Sequence, residues 1–432
     1  MPAYNVAVVG AGYAGSAAAL LLSQQGHRVE VFEAVEDPGP VGAGILLQPS
    51  GMVVLQQLGL LDEVLAHGAV VDRLRCRTSS GKTLFQLAYR RDARELYGLG
   101  LHRGVLFRVL YDAVLREGVP VHLGTRIMDI VQGAQVEDDK GRRFGPYDLI
   151  VVADGSRSQI RAADFPTVLD APYPWGALWF VGVDEEHVFT RELFQVVEGA
   201  QKMLGFLPTG RAPDSSANLT SLFWSFKASE ISRFQHLLRF RGVQVFRDEI
   251  LSFEPRAEPL VSQITDADQI LFASYRDVRM RRWHGERHGA SVVVIGDAAH
   301  SMSPQLGQGS NLALFDALEL ARVVGETNTL PDALASYQRA RRSHLGFYQR
   351  INRWLTPFFQ SDSRILGWIR DIAFPIGSRL PFLRGAMVQT MCGIRRGFLR
   401  ANPLPLPTLP KSDAPLVKSE EPYASISREG PI

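Results

Sequence analysis

Cysteine is nearly absent, with two residues, Cys76 and Cys392, in a chain of 432. Two thiols cannot build a disulfide framework, and neither lies in a metal-ligand spacing, so a reduced, cytoplasmic setting is expected. An excess of one charge is also lacking. A formal net charge of +2 offers a polyanion little to recognise, so no nucleic-acid partner is expected. No window reaches the roughly 18 uninterrupted apolar residues of a membrane span. The apolar run from Val6 to Val9 enters a glycine motif directly, and reads as a first strand rather than as a secretory signal. Solenoid-period repeats, a serine–histidine–acid set and a metal-ligand cluster are all missing. What remains is an ordinary globular composition, 46% hydrophobic and 21% charged, long enough for two packed domains or one with an insertion.

The most informative stretch is Gly296-Asp297-Ala298-Ala299-His300, continuing through Pro304, Gly307, Gln308, Gly309 and Asn311. The run Ser291 to Ile295 ahead of it is unbroken and apolar, as in a strand buried on both faces. Behind it Leu312, Leu314, Phe315, Leu318 and Ala321 recur at helical spacing. The motif therefore sits on a strand-to-helix turn. Asp297 is placed to bind a polyol, and free N–H groups at the helix start are placed to hold an electron-rich, partly anionic ring. His300 is tempting as a base, but reads better as a packed structural residue.

The N-terminus carries a second strand-to-helix turn. An apolar strand from Tyr4 to Val9 runs into Gly10-Ala11-Gly12-Tyr13-Ala14-Gly15, then a helix, then a strand from Arg28 to Phe32 that closes on Glu33. This is the dinucleotide-binding unit. Gly10 makes the tight turn, Gly12 admits a pyrophosphate and Gly15 lets helix and strand pack, while Glu33 accepts from the adenosine ribose. A third strand, Asp148 to Ala153, ends in Asp154-Gly155 with Arg161 following. Alone, that is an ordinary strand-end turn. Arg103, at a helix start, reads as a surface residue by spacing alone. The loop Gly42-Ala43-Gly44-Ile45 with Pro49 is small enough to lie against a flat ligand. Between about Phe165 and Arg276 aromatics become dense and alternate, as in a half-buried antiparallel sheet. The arginines of Tyr337 to Arg342 read as a solvated face. Residues 365–387 form an amphipathic stretch, read first as a helix over the sheet and second as a weak peripheral membrane contact. The proline-rich tail beyond Ala401 reads as disordered.

The three motifs, GAGYAG with Glu33, Asp154-Gly155 with Ser158 and Arg161, and Gly296-Asp297 with Pro304 and Gly307 to Asn311, together resemble the single-component FAD-dependent aromatic hydroxylases. That family includes p-hydroxybenzoate, salicylate and ubiquinone-pathway hydroxylases, and the resemblance covers roughly residues 4–345. It implies an α/β fold: a Rossmann-type FAD-binding domain (1–72, 97–165, 277–345), an inserted antiparallel-sheet substrate-binding domain (73–96, 166–276), C-terminal helices (346–400) and a tail (401–432). It also implies that Gly10, Gly12, Gly15 and Glu33 hold the adenosine diphosphate half of FAD, and that Arg103 reaches the flavin. Asp154, Gly155 and Arg161 would serve FAD phosphate and passing NAD(P)H. Gly296 and Asp297 would bind ribitol, and Pro304, Gly307, Gly309 and Asn311 would line the isoalloxazine. Ala34 and Ser50 depart from the family pattern, where arginine and asparagine are common. The implied reaction is hydroxylation of an electron-rich, hydrophobic aromatic ring, a phenol or quinolone, with NAD(P)H and O2 through a flavin hydroperoxide. No side chain acts as nucleophile. An epoxidase, a non-oxygenating reductase, a halogenase or a non-catalytic flavin carrier are the alternatives, and the halogenase lacks its GWxWxIP signature.

Overall fold

The computed structural model describes residues 3–39, 42–89, 96–398 and 404; of the expected proline-rich tail, only Leu404 falls within them. The valine-rich runs form a parallel sheet buried on both faces. Its strand order is His284–Arg287, Ala290–Val294, Leu149–Val152, Asn5–Val9, Arg28–Phe32 and Val121–His122, with the first strand antiparallel at the edge. Register aligns Val9 with Val152 and Val152 with Val294, so three strands end side by side. Helices Tyr13–Gln24 and Gly309–Glu326 follow two of those ends and pack on each other. Alternating segments between residues 127 and 144 form a separate three-stranded sheet.

A seven-stranded sheet takes its strands from residues 73–88 and 167–280. It is antiparallel except that Glu192–Glu198 runs parallel to Arg73–Thr78. That junction joins chain segments far apart in sequence, where no hairpin imposes antiparallel pairing. The strand Leu271–Met280 runs across the domain boundary expected after residue 276. Alternation gives the sheet two apolar faces. One, with Phe180, Phe206, Leu222 and Trp224, is covered by the helices Ile231–Arg241 and Gln244–Phe253. The other carries Met203, Leu207 and Phe223 towards the C-terminal helices.

The two sheets meet through glycine. A small sheet of Gly44–Leu47, Gly98–His102 and Ala69–Val71 crosses the large one, and a Cβ built on Gly100 would lie 1.8 Å from the Pro208 carbonyl oxygen. Backbone touches backbone there, with no flexible group to yield. Gly100→Val should therefore cost about 2–4 kcal/mol in urea unfolding. A loss below about 1 kcal/mol would show that the seam adjusts freely.

Candidate active site

At the first strand end Gly10 adopts φ +102°, and a Cβ there would lie 2.5 Å from the Ala153 carbonyl oxygen. Gly15 is tighter still, its built Cβ 1.9 Å from the Gly10 carbonyl oxygen, so the helix packs directly onto the turn. Gly12 differs: nothing lies within 4 Å of its built Cβ. The helix it precedes has no side-chain cap, which leaves its first N–H groups for a ligand. Glu33 reaches this turn, Oε2 accepting from Ala11 N at 2.9 Å and Oε1 from Val35 N at 3.0 Å. Its carboxylate is thus fixed beside the open glycine.

The second strand end presents Asp154 and Gly155. Gly155 has φ +82° and open space around its built Cβ. Asp154 Oδ1 is buried without a hydrogen-bond partner, and burial pushes its carboxyl above the usual range. Arg161 points elsewhere. It donates through Nη1 to Ala298 O (2.7 Å) and through Nη2 to Ser156 O (2.9 Å) and Asp170 Oδ2 (2.7 Å). The direct phosphate contact implied by the resemblance is not its geometry. A fully desolvated guanidinium needs nearby acceptors, and these bind the second strand end to the third.

At the third strand end Gly296 has φ +61°, and Asp297 is exposed beyond it. The built Cβ of Gly309 meets only Asp297 Oδ1, at 3.9 Å, and that of Gly307 meets nothing. The helix Gly309–Glu326 also lacks a side-chain cap. Arg103 stands across the opening with its guanidinium 5.9 Å from the Tyr13 ring centre, and its backbone oxygen accepts from the Tyr13 hydroxyl. Arg103 is exposed, as its spacing indicates, and its guanidinium lies at the rim of the cradle. Asn311 is fully buried. Its Oδ1 accepts from Gln48 N (2.7 Å) and its Nδ2 donates to Leu46 O and Gly307 O (both 3.1 Å), so it stitches the small-residue loop to the helix start. Pro304 begins a single turn between these elements, and around it Gln305 Oε1, Gln308 Oε1 and Ser50 Oγ are buried without partners.

These features fit FAD. Open glycines, uncapped helix starts, a free carboxylate at Asp297 and the orphaned Asp154 Oδ1 converge at the ends of adjacent parallel strands, where α/β sheets bind nucleotides. A cavity of about 540 Å³ opens beside Met302 and Ser303, lined by Tyr173, Arg279, Asn352 and Gln360. Its size suits a small molecule.

Sequence reasoning missed what holds the third turn. Asp316, on the following helix, accepts from Gly296 N (2.8 Å), His300 Nε2 (2.5 Å) and Arg341 Nε (2.7 Å). Burial alone would raise its carboxyl, but His300 and Arg341 outweigh that and hold it well below the usual range. His300 is therefore a structural partner, as its sequence context indicates. The solvated-face reading is corrected at Arg341, whose side chain is 1% exposed, while Arg339 and Arg342 do face solvent. The signal was available: Leu334, Tyr337, Arg341, Leu345 and Tyr348 share one buried helical stripe. Arg341→Met strands Asp316 without its cation and should cost about 3–5 kcal/mol in chemical unfolding. Arg339→Met on the same helix should change stability by no more than about 0.5 kcal/mol. Equal effects at the two positions would refute the network's role.

The family described as "FAD binding domain" matches residues 3–209 and 240–346. A probable 2-heptyl-3-hydroxy-4(1H)-quinolone synthase of Rhodococcus erythropolis is 25% identical over 371 residues, 85% of this chain and 89% of that protein. Kynurenine 3-monooxygenase of Salinispora arenicola is 31% identical over 361 residues, 79% of this chain and 76% of its own length. Among solved structures, PqsL of Pseudomonas aeruginosa, a probable FAD-dependent monooxygenase, superposes with TM-score 0.71 at 26% identity, covering 85% of this chain and 99% of that one. The match over most of the chain places this protein in that FAD-binding family as an FAD-dependent monooxygenase of the aromatic-hydroxylase type.

Proposed function

We propose that the protein uses NAD(P)H and O2 to hydroxylate a lipophilic, electron-rich ring such as a phenol or quinolone. The observation that carries this reading is Gln305. Its Nε2 lies 3.7 Å from Met203 Sδ, on the apolar face of the large sheet, and its Oε1 is buried with no donor. An acceptor waiting beside Met203, Leu207 and Phe223 suits a ring that is apolar over most of its surface and carries one O–H or N–H. One relative is named for 2-heptyl-3-hydroxy-4(1H)-quinolone synthesis, a compound of that description.

When bound and reduced, FAD supplies the electrophilic oxygen chemistry that no side chain provides. The chain's own residues do the rest. Gly12 and Glu33 would hold the adenosine end, on a turn that Gly10 and Gly15 let pack closely, and Asp297 would take the ribitol hydroxyls. Asp154 and Gly155 serve the phosphates, while Arg161 acts through position by tying their loop to Ala298. The uncapped N–H groups at Gly309 and the Arg103 guanidinium would favour an electron-rich ring held between them. The apolar sheet face excludes water where the oxygen is transferred. Asn311 keeps the opposing loop in place.

The sequence carries one GxGxxG, which the FAD reading uses, and the nicotinamide cosubstrate is read as a transient visitor to the same opening.

The test is oxygen uptake by the flavin-loaded protein with NADH or NADPH across phenols, benzoates and alkylquinolones. Uptake stimulated by one ring class, with a product heavier by one oxygen, is expected. Flavin reduction without uptake would leave a reductase and overturn the oxygenase reading. With the stimulating compound in hand, Gln305→Leu should raise KM roughly tenfold with a smaller change in kcat. Asp297→Ala should yield a folded protein that retains little flavin on purification.

A further inference from the structure

The helix Arg364–Arg379 is held in one rotational setting. Gly367 faces the turn at residues 199–200, where a Cβ would lie 3.0 Å from Ala200 N. Arg370, whose side chain is 0% exposed, donates through Nη1 to Gly199 O (2.8 Å) and Phe358 O (3.0 Å). With that face anchored, the opposite one must face outward. It carries Ile365 (69% exposed), Trp368 (66%), Ile372 (41%) and Ile376 (58%) at i, i+3, i+7 and i+11, a single stripe. The stripe continues through Leu380 to Phe382 (72%) at the start of helix Pro381–Met391. An exposed apolar run of this length is unusual on a monomer and marks a contact surface.

Charge says what the surface fits. Arg364, Arg379 and Arg384 border the stripe, are exposed, and have no ion-pair partner among the described residues. The one acid in 363–391, Asp371, is bound at 2.7 Å by the buried Arg370. A second protein surface of mixed charge would leave this one-signed rim unmatched, whereas a bilayer with anionic headgroups matches apolar stripe, tryptophan and arginine rim together. No helix among the described residues is long and apolar enough to cross a membrane. We propose that the face formed by residues 364–384 docks in the plane of an anionic lipid bilayer, its stripe seated at the headgroup boundary.

The experiment uses the full-length, flavin-loaded protein and sedimentation with vesicles of phosphatidylcholine alone or with about 30% phosphatidylglycerol, an anionic surface. Binding to the anionic vesicles, weakened by about 0.5 M NaCl, is expected. A combined Arg364→Gln, Arg379→Gln, Arg384→Gln variant should bind on the order of a hundredfold more weakly, about fivefold for each arginine. A combined Trp368→Ser, Ile376→Ser, Phe382→Ser variant should lose binding while keeping its flavin content and melting temperature. Absence of vesicle binding by the unaltered protein, or equal binding by the serine variant, overturns the proposal. So does binding that appears only after removal of residues 405–432, which would make the tail the occupant. A concentration-dependent dimer abolished by the serine substitutions, without vesicle binding, would assign the face to a second copy instead.

Discussion

One buried carboxylate determines the shape of the site. Asp316 gathers the Gly296 N–H, the His300 ring and the Arg341 guanidinium, and these come from a strand end, a short turn and the 26-residue helix Leu330–Leu355. A carboxylate out of water requires such partners, because unpaired it would be several kcal/mol too costly to bury. Replacing the set with apolar side chains could give a protein as stable, but it would not dictate where Asp297 stands. Here the ionic network trades stability for position. Arg341 also lies against His344, whose imidazole is driven well below its usual range by burial first and that cation second. The positive charge therefore stays on Arg341, where Asp316 needs it.

Position matters because three loops far apart in the chain must act as one surface. The sheet supplies the coarse alignment. Strands ending at Val9, Val152 and Val294 are neighbours in register, so Gly10, Asp154 and Gly296 emerge together. Glycine supplies the fine approach, at Gly10 against Ala153 and at Gly15 against Gly10, where any side chain would separate layers that now touch. Gly12, Gly155 and Gly307, at the same strand and helix ends, have empty space where a Cβ would be, so the packing there is confined to the glycines beneath them.

The sequence was most legible where a function has a local signature. Strand, glycine turn, helix and acid follow one another within thirty-odd residues at the N-terminus, so the fold class could be read from spacing. Arg161 and Asn311 sit in equally recognisable motifs, yet their side chains turn away from the opening. Their partners are Ala298 and Gln48, 137 and 263 residues distant, and no local pattern encodes such pairs. Arg341 lies between these cases. Composition put it among solvated arginines, but its helical phase aligned it with Tyr337 and Tyr348, and the phase proved the better guide. The parallel junction between Glu192–Glu198 and Arg73–Thr78 was not legible at all, since it depends on which edge of the large sheet a distant hairpin finds free.

Among the described residues the three largest fully buried side chains are all arginines, and they perform one task at three places. Arg161 joins the second strand end to the third, Arg341 joins the third to the helix behind it, and Arg370 joins the C-terminal helices to the large sheet. Each pairs with one aspartate, Asp170, Asp316 or Asp371, and directs at least one further donor at a backbone carbonyl. Guanidinium suits this use because its five N–H groups form a rigid fork that stays charged when desolvated, so one side chain fixes several loops at defined angles. A lysine could neutralise the aspartate but could not also hold two carbonyls in a plane. The same chemistry that aligns the cofactor loops thereby sets the rotation of the helix Arg364–Arg379. The apolar stripe outside is a consequence of how firmly the inside is tied.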